Sequence, residues 1–114
     1  MRRLLRSWRW RVAVVGHSME PTLREGDWLL VDPLGEPGQA VRAPAIGDLV
    51  VARDQRAPGR WLVKRVTATG SAGRLTLAGD HPAHRDDDVE VEASAILGQP
   101  WLRYWPPRRV GRLG

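Results

Sequence analysis

Short apolar runs separated by turn residues organise this chain. Trp10 to Val15 is mainly apolar up to a break at Gly16 and reads as a first strand. Trp28-Leu29-Leu30-Val31 lies between Asp27 and Asp32-Pro33, the pattern of a buried strand. Gly47-Asp48 leads into Leu49–Ala52 in the same way that Gly26-Asp27 leads into Trp28. Arg60 to Ala68 is the longest strand candidate, Gly70 to Gly73 a hairpin connection and Arg74 to Ala78 its returning partner. Val89–Val91 and Ile96-Leu97 are short strand candidates, and Trp101–Trp105 is a last strand ended by Pro106-Pro107. Glu20-Pro21-Thr22-Leu23 has room for one helical turn. Residues 33–46, 54–59 and 79–88 read as loops. The spacing predicts a mainly β, compact, barrel-like domain over residues 12–105 with at most one short helical turn. A basic Trp/Arg arm (1–11) precedes it and a basic tail (106–114) follows.

The length of 114 residues fits one small domain with a modest core. The absence of cysteine excludes a disulfide framework, a thiol nucleophile and thiolate metal sites, and it suits a reducing compartment. The expected location is therefore cytoplasmic. The net charge of +5 sits at the two ends: residues 1–11 carry five Arg and no acid, and residues 103–114 carry four Arg and no acid. The middle has nine basic and thirteen acidic residues, a net charge of −4. A nucleic-acid-binding core would place its positive charge on the folded body, so no nucleic-acid partner is expected. The longest unbroken apolar run, Val12–Val15, is far short of the roughly 20 residues of a membrane span, and no secretory h-region follows the basic start. Leu4, Leu5, Trp8 and Trp10 among arginines would suit a bilayer interface as well as a solvated arm, so membrane contact is admitted but not expected.

One residue departs from the arginine bias. Of eighteen basic side chains seventeen are arginine, and the single lysine is Lys64. Lysine can give up its proton when desolvated and act as a base, whereas arginine stays charged. At a strand's period of two, Lys64 shares a face with Leu62 and Val66, and desolvation there would favour the neutral amine. Snorkelling to solvent over the same two side chains is the alternative. Among the four serines, Ser18 stands out because it follows a strand and a glycine and precedes a turn pinned by Pro21. That setting holds a hydroxyl at a strand end with its backbone N–H free to serve an oxyanion.

These residues carry a resemblance. Ser18-Met19-Glu20-Pro21-Thr22-Leu23 with Gly26-Asp27 resembles the nucleophile motif of type I signal peptidases. Gly47–Val51 resembles their following Gly-Asp strand, Val63-Lys64-Arg65-Val66 their lysine motif, and Gly79-Asp80-His81 a degenerate form of their Gly-Asp-Asn box. The four stretches occur in family order. The resemblance implies an all-β catalytic core and a serine endopeptidase with a Ser/Lys dyad. Ser18 would be the nucleophile and oxyanion N–H donor, and Lys64 the base. Met19, Pro21, Gly79, Asp80 and Asp87 would be supporting positions, with Asp87 as the family's structural aspartate. It implies no cofactor and no metal. It also implies a protein substrate, a pro-form with an N-terminal leader, bound as an added strand beside residues 12–16 or the Lys64 strand. Two departures stand out. Gly16 replaces a serine that donates to the oxyanion in some relatives, and His84–Asp88 lacks the hydroxyl residue that helps to orient the lysine. The short length, the missing anchor, Gly79-Asp80-His81-Pro82-Ala83 and the ending Leu102–Pro106 further resemble the maturation proteases of nickel-type superoxide dismutase.

Other readings stay open at this level. His81 and His84 with Asp86–Asp88 have the composition of a loop metal site, and either histidine could complete a Ser-His-Asp triad with Ser18. His17 is a poor base for Ser18, because adjacent side chains diverge. Self-cleaving regulators of the LexA type share a Ser/Lys core, but an eleven-residue arm cannot hold their DNA-binding domain. A peripheral membrane enzyme docked through Trp8, Trp10 and the arm, and a non-enzymatic module, complete the set.

Overall fold

The pattern of short apolar runs corresponds to eight strands: β1 (Arg11–Ala13), β2 (Trp28–Pro33), β3 (Leu49–Arg53), β4 (Trp61–Thr69), β5 (Leu75–Ala78), β6 (Val89–Val91), β7 (Ile96–Trp105) and β8 (Gly111–Arg112). The computed structural model describes residues 10–33, 43–54, 56–57, 59–83 and 88–113. Most of the basic arm, most of the 33–46 loop, His84 and Asp87 lie outside them. The strands form one curled, half-barrel antiparallel sheet in the order β1-β2-β7-β3-β4-β5-β6, with β8 added to β7. Helical backbone among the described residues is confined to short 3-10 turns. No helix there is long and apolar enough to cross a membrane.

The sheet has apolar side chains on both faces where strand β3 runs through its centre. Leu49 and Val51 point into one cluster with Val12, Val14, Met19, Leu23, Leu29 and Val31. Val50 and Ala52 point into the other, with Val66, Leu75, Leu77 and Val91. That double burial explains why residues 49–52 are apolar without alternation. Trp10 packs against the first cluster and meets Trp61 edge-on, with ring centroids 5.7 Å apart.

The repeated Gly-Asp pattern produces one turn twice. Asp27 N donates to Arg24 O at 3.0 Å and Asp48 N to Ala45 O at 3.0 Å, closing tight turns with Gly26 and Gly47 at φ of +91° and +96°. A positive φ at the third position is the requirement of a type II turn, which glycine meets without strain. Each aspartate carboxylate then accepts the N–H three residues back, from Arg24 and Ala45 respectively, at 2.9 Å. The two turns fix where β2 and β3 begin.

The C-terminal part differs from expectation in two places. Ile96-Leu97 and Trp101–Trp105, read as two strands, are parts of the single ten-residue strand β7. Gly98-Gln99-Pro100 stays in the ladder because Pro100 pairs with Val31 beside a register shift in β2, a place where a residue without an N–H is tolerated. The segment read as a basic tail is packed against the body. Gly111 and Arg112 pair with β7, and Leu113 joins the first cluster. Arg109 and Arg103 each lie 3.3 Å from the buried carboxylate of Asp27. Two tail-side charges are thus spent on one acid of the body.

Candidate active site

Ser18 and Lys64, 46 positions apart in sequence, meet in the fold: Lys64 Nζ and Ser18 Oγ form a hydrogen bond of 2.7 Å, partly buried. Lys64 reaches this point from β4, opposite Val50 on β3, whose side chain is fully buried.

The turn that carries Ser18 is held from several directions. Met19 and Leu23 are 2% and 0% exposed and anchor it in the first apolar cluster. Leu23 N donates to Met19 O at 2.9 Å and closes the turn after Pro21. Ser18 O accepts from His81 N at 2.9 Å, which joins the Ser18 segment to the end of β5. Thr22 O accepts from Arg103 Nη1 at 2.8 Å. Among the described residues Ser18 N–H has no acceptor, so this donor is available beside the hydroxyl.

Gly79 is required by close approach. A Cβ there would lie 2.4 Å from Ser18 O and 3.1 Å from Ser18 Cβ, both fixed by the backbone of the same turn. The neighbouring Asp80 is a clamp. Its carboxylate accepts two parallel bonds of 2.9 Å from Arg65 Nε and Nη2 and one of 2.6 Å from Thr22 Oγ1. Arg65 also donates through Nη1 to Gly47 O at 2.7 Å. One carboxylate thereby ties the lysine strand to the Ser18 turn. Position 65 suits a planar fork that binds a carboxylate through two parallel bonds.

The Arg65 fork, and the Thr22 hydroxyl beyond it, hold the Asp80 carboxyl below the usual carboxylate range, against the opposing effect of burial. The same pairing raises the Arg65 guanidinium. A depressed carboxyl contributes stability that is present above its unfolded value of about 3.9 and lost as pH falls through the folded value. Thermal melting of the wild type is therefore expected to weaken below about pH 4. In Asp80→Asn the melting temperature should be lower at pH 7, by the equivalent of about 1–3 kcal/mol, and its decline in acid should be shallower. An unchanged acid limb in Asp80→Asn would remove Asp80 as the clamp.

The other expected positions are placed as follows. Pro21 is exposed at the rim of the turn. Asp87 and His84 lie outside the described residues, so neither Asp87's structural role nor a His84 site is described. His17 is turned to carboxylates, with Nδ1 against Glu20 and Nε2 3.6 Å from Glu25. His81 Nδ1 accepts from Ala83 N at 3.0 Å. Among the described residues no group of three or more His, Asp or Glu is placed to hold a metal, and the base within hydrogen-bond reach of Ser18 Oγ is Lys64. Sequence reading missed the parts of Arg65, Thr22 and Arg103. Arg103 carried no signal beyond its place in a basic end.

Ser18 and Lys64 open onto a cleft of about 680 Å³, walled by residues 13–19 on one side and 60–64 on the other. Among the described residues both walls present unpaired strand edges. Val14 N donates to Asp27 O and Val14 O accepts from Gly26 N, so by alternation Ala13 and Val15 direct their peptide groups away from β2. On β4, Arg60 O and Val66 N bond toward β3, so Trp61 and Val63 face the other way. Pairing of β4 with β5 extends from Thr69 only as far as Arg65.

The family model described as signal peptidase, peptidase S26, matches residues 4–104. The chain belongs to that family. Membership makes it a serine endopeptidase of the signal-peptidase type. The matched region spans every motif around the cleft of this signal-peptidase relative. No curated protein and no solved structure matches the chain.

Proposed function

We propose that Ser18 and Lys64 are the catalytic pair of this peptidase, and that it removes an N-terminal leader from a specific pro-protein in the cytoplasm. The observation that carries the reading is the 2.7 Å contact between the single lysine and Ser18 Oγ. The neutral Lys64 amine takes the Ser18 proton as Oγ attacks the scissile carbonyl, and the Ser18 N–H receives the developing oxyanion. The resulting ammonium protonates the leaving amine as the C–N bond breaks. Water then attacks the acyl-enzyme, giving its proton to Lys64, and the ester C–O bond breaks to restore Ser18. The substrate lies extended in the cleft, exchanging backbone hydrogen bonds with the free edges at Ala13 and Val15 and at Trp61 and Val63.

For the substrate we propose the pro-form of a nickel-type superoxide dismutase. Gly79-Asp80-His81-Pro82-Ala83 and Leu102-Arg103-Tyr104-Trp105-Pro106 support this through their resemblance to the maturation proteases of that enzyme. Incubation with such a pro-form should give one defined new N-terminus by mass spectrometry, absent with Ser18→Ala. No cut of the pro-form, with cleavage of a generic signal peptide instead, would overturn this substrate and leave the peptidase.

A second reading has one observation in its favour. Trp10, Trp28, Trp61, Tyr104 and Trp105 with Arg11 line an open concavity of about 650 Å³, and Trp105 is 52% exposed. Aromatic side chains with a basic neighbour suit a lipid interface, as a membrane-peripheral signal peptidase would need. Co-sedimentation with anionic vesicles, lost on Trp28→Ser with Trp105→Ser, would favour that reading.

A further inference from the structure

Among the described residues the charged side chains that line the cleft are of one sign. Besides Lys64 they are Arg56 and Arg60, with His17 at the other wall already engaged by Glu20 and Glu25. No carboxylate lines the cleft among the described residues. Arg56 and Arg60 share a single acid, Asp54, whose side chain is only 4% exposed. Arg56 Nε lies 3.3 Å and Arg60 Nε 3.7 Å from its two oxygens, while the arginine side chains are 70% and 69% exposed. One carboxylate balances one guanidinium, so the second is more than its charge balance needs, and the same carboxylate also accepts the Arg56 backbone N–H at 3.0 Å. Asp54 cancels one positive charge of two and fixes both arginines at the mouth. The adjoining surface is apolar, with Val15 83% and Trp61 46% exposed, which strengthens the field an approaching charge would feel.

Arg60 precedes Lys64 by four positions on the wall that offers the free edge, about 13 Å at the rise of an extended chain. Resting on the peptidase reading above, we infer that the substrate carries an aspartate or glutamate about four residues from the cleaved bond, received by Arg56 and Arg60. The substrate class is thus an extended segment with an acidic residue on the side that runs along β4 toward Arg60.

The test is cleavage-site profiling of a proteome-derived peptide library by mass spectrometry with wild type and Ser18→Ala. It is followed by matched peptides that differ by Glu against Gln at the enriched position. Ser18-dependent cuts should be enriched for Asp or Glu at one position three to five residues from the cut. The Glu peptide should have a kcat/KM roughly fivefold above its Gln partner, the scale of an exposed charge pair. In Arg56→Gln with Arg60→Gln the ratio should fall to about one, and in Arg56→Lys with Arg60→Lys it should partly return. If the double glutamine variant unfolds because Asp54 loses its partners, Arg60→Gln alone removes the looser one and should at least halve the ratio. Ser18-dependent cuts without acid enrichment, or a ratio unchanged in Arg60→Gln, would overturn the inference alone. Absence of any Ser18-dependent cut, in the library and in the pro-form alike, would overturn the peptidase assignment of Ser18 and this inference with it.

Discussion

Lys64→Arg is expected to abolish cleavage while leaving the fold intact. The substitution keeps a positive charge and a long stem at the position, so any purely electrostatic or packing role of Lys64 would survive it. It removes the capacity to be neutral, because the guanidinium does not lose its proton in proteins. Loss of a positioned general base costs between about a hundredfold and ten-thousandfold in rate, and in the proposed mechanism the base also returns the proton to the leaving amine. The fall should appear in kcat and kcat/KM together, since the proton moves only in the transition state. Ser18→Ala should be no more active than Lys64→Arg, because the two groups act as a unit. A rate within threefold of wild type for Lys64→Arg would end the case for Lys64 as the base and return attention to His81, whose backbone already contacts Ser18.

Gly79→Ala should inactivate the enzyme from outside the reacting pair. The added methyl would lie 2.4 Å from Ser18 O, a carbonyl bonded to His81 N and carried on a turn whose Met19 and Leu23 are locked in the core. No flexible side-chain end is there to yield, so either the turn or the end of β5 must shift. Overpacking of this kind costs about 1–3 kcal/mol of stability. A displacement of Ser18 Oγ by about 1 Å from the Lys64 amine costs on the order of a hundredfold in rate. Unfolding followed by circular dichroism separates the two effects: a variant that is folded at the assay temperature and a hundredfold slower is the expected outcome. Wild-type activity in folded Gly79→Ala would mean that the nucleophile turn is not held by its contact with Gly79.

Much of this arrangement could be read from local pattern. The strands that carry Lys64 and precede Ser18, the Gly-Asp turns and the two reactive residues each leave a signature within a few positions. What stayed hidden depends on distant partners. Arg103 reaches Thr22 O across 81 positions, and Arg109 reaches Asp27 across 82. In sequence both are arginines of a basic end. Asp80 was marked by its motif, but its service to Arg65 and Thr22 follows only from the pairing of β4 with β5 and the docking of the turn. Pro100 hid the continuity of β7, because the irregularity that tolerates it lies in β2.

In the proposed mechanism the Lys64 amine is neutral when it faces Ser18. The composition makes this directly measurable, since Lys64 is the only lysine in the chain. Protein labelled with ¹³C at lysine Cε gives one side-chain signal, which can be followed through a pH titration of the folded enzyme. The expected midpoint lies well below the ordinary lysine value of about 10.4 and is matched by the rising limb of the kcat/KM profile. A midpoint at the ordinary value in the folded, active protein would contradict it.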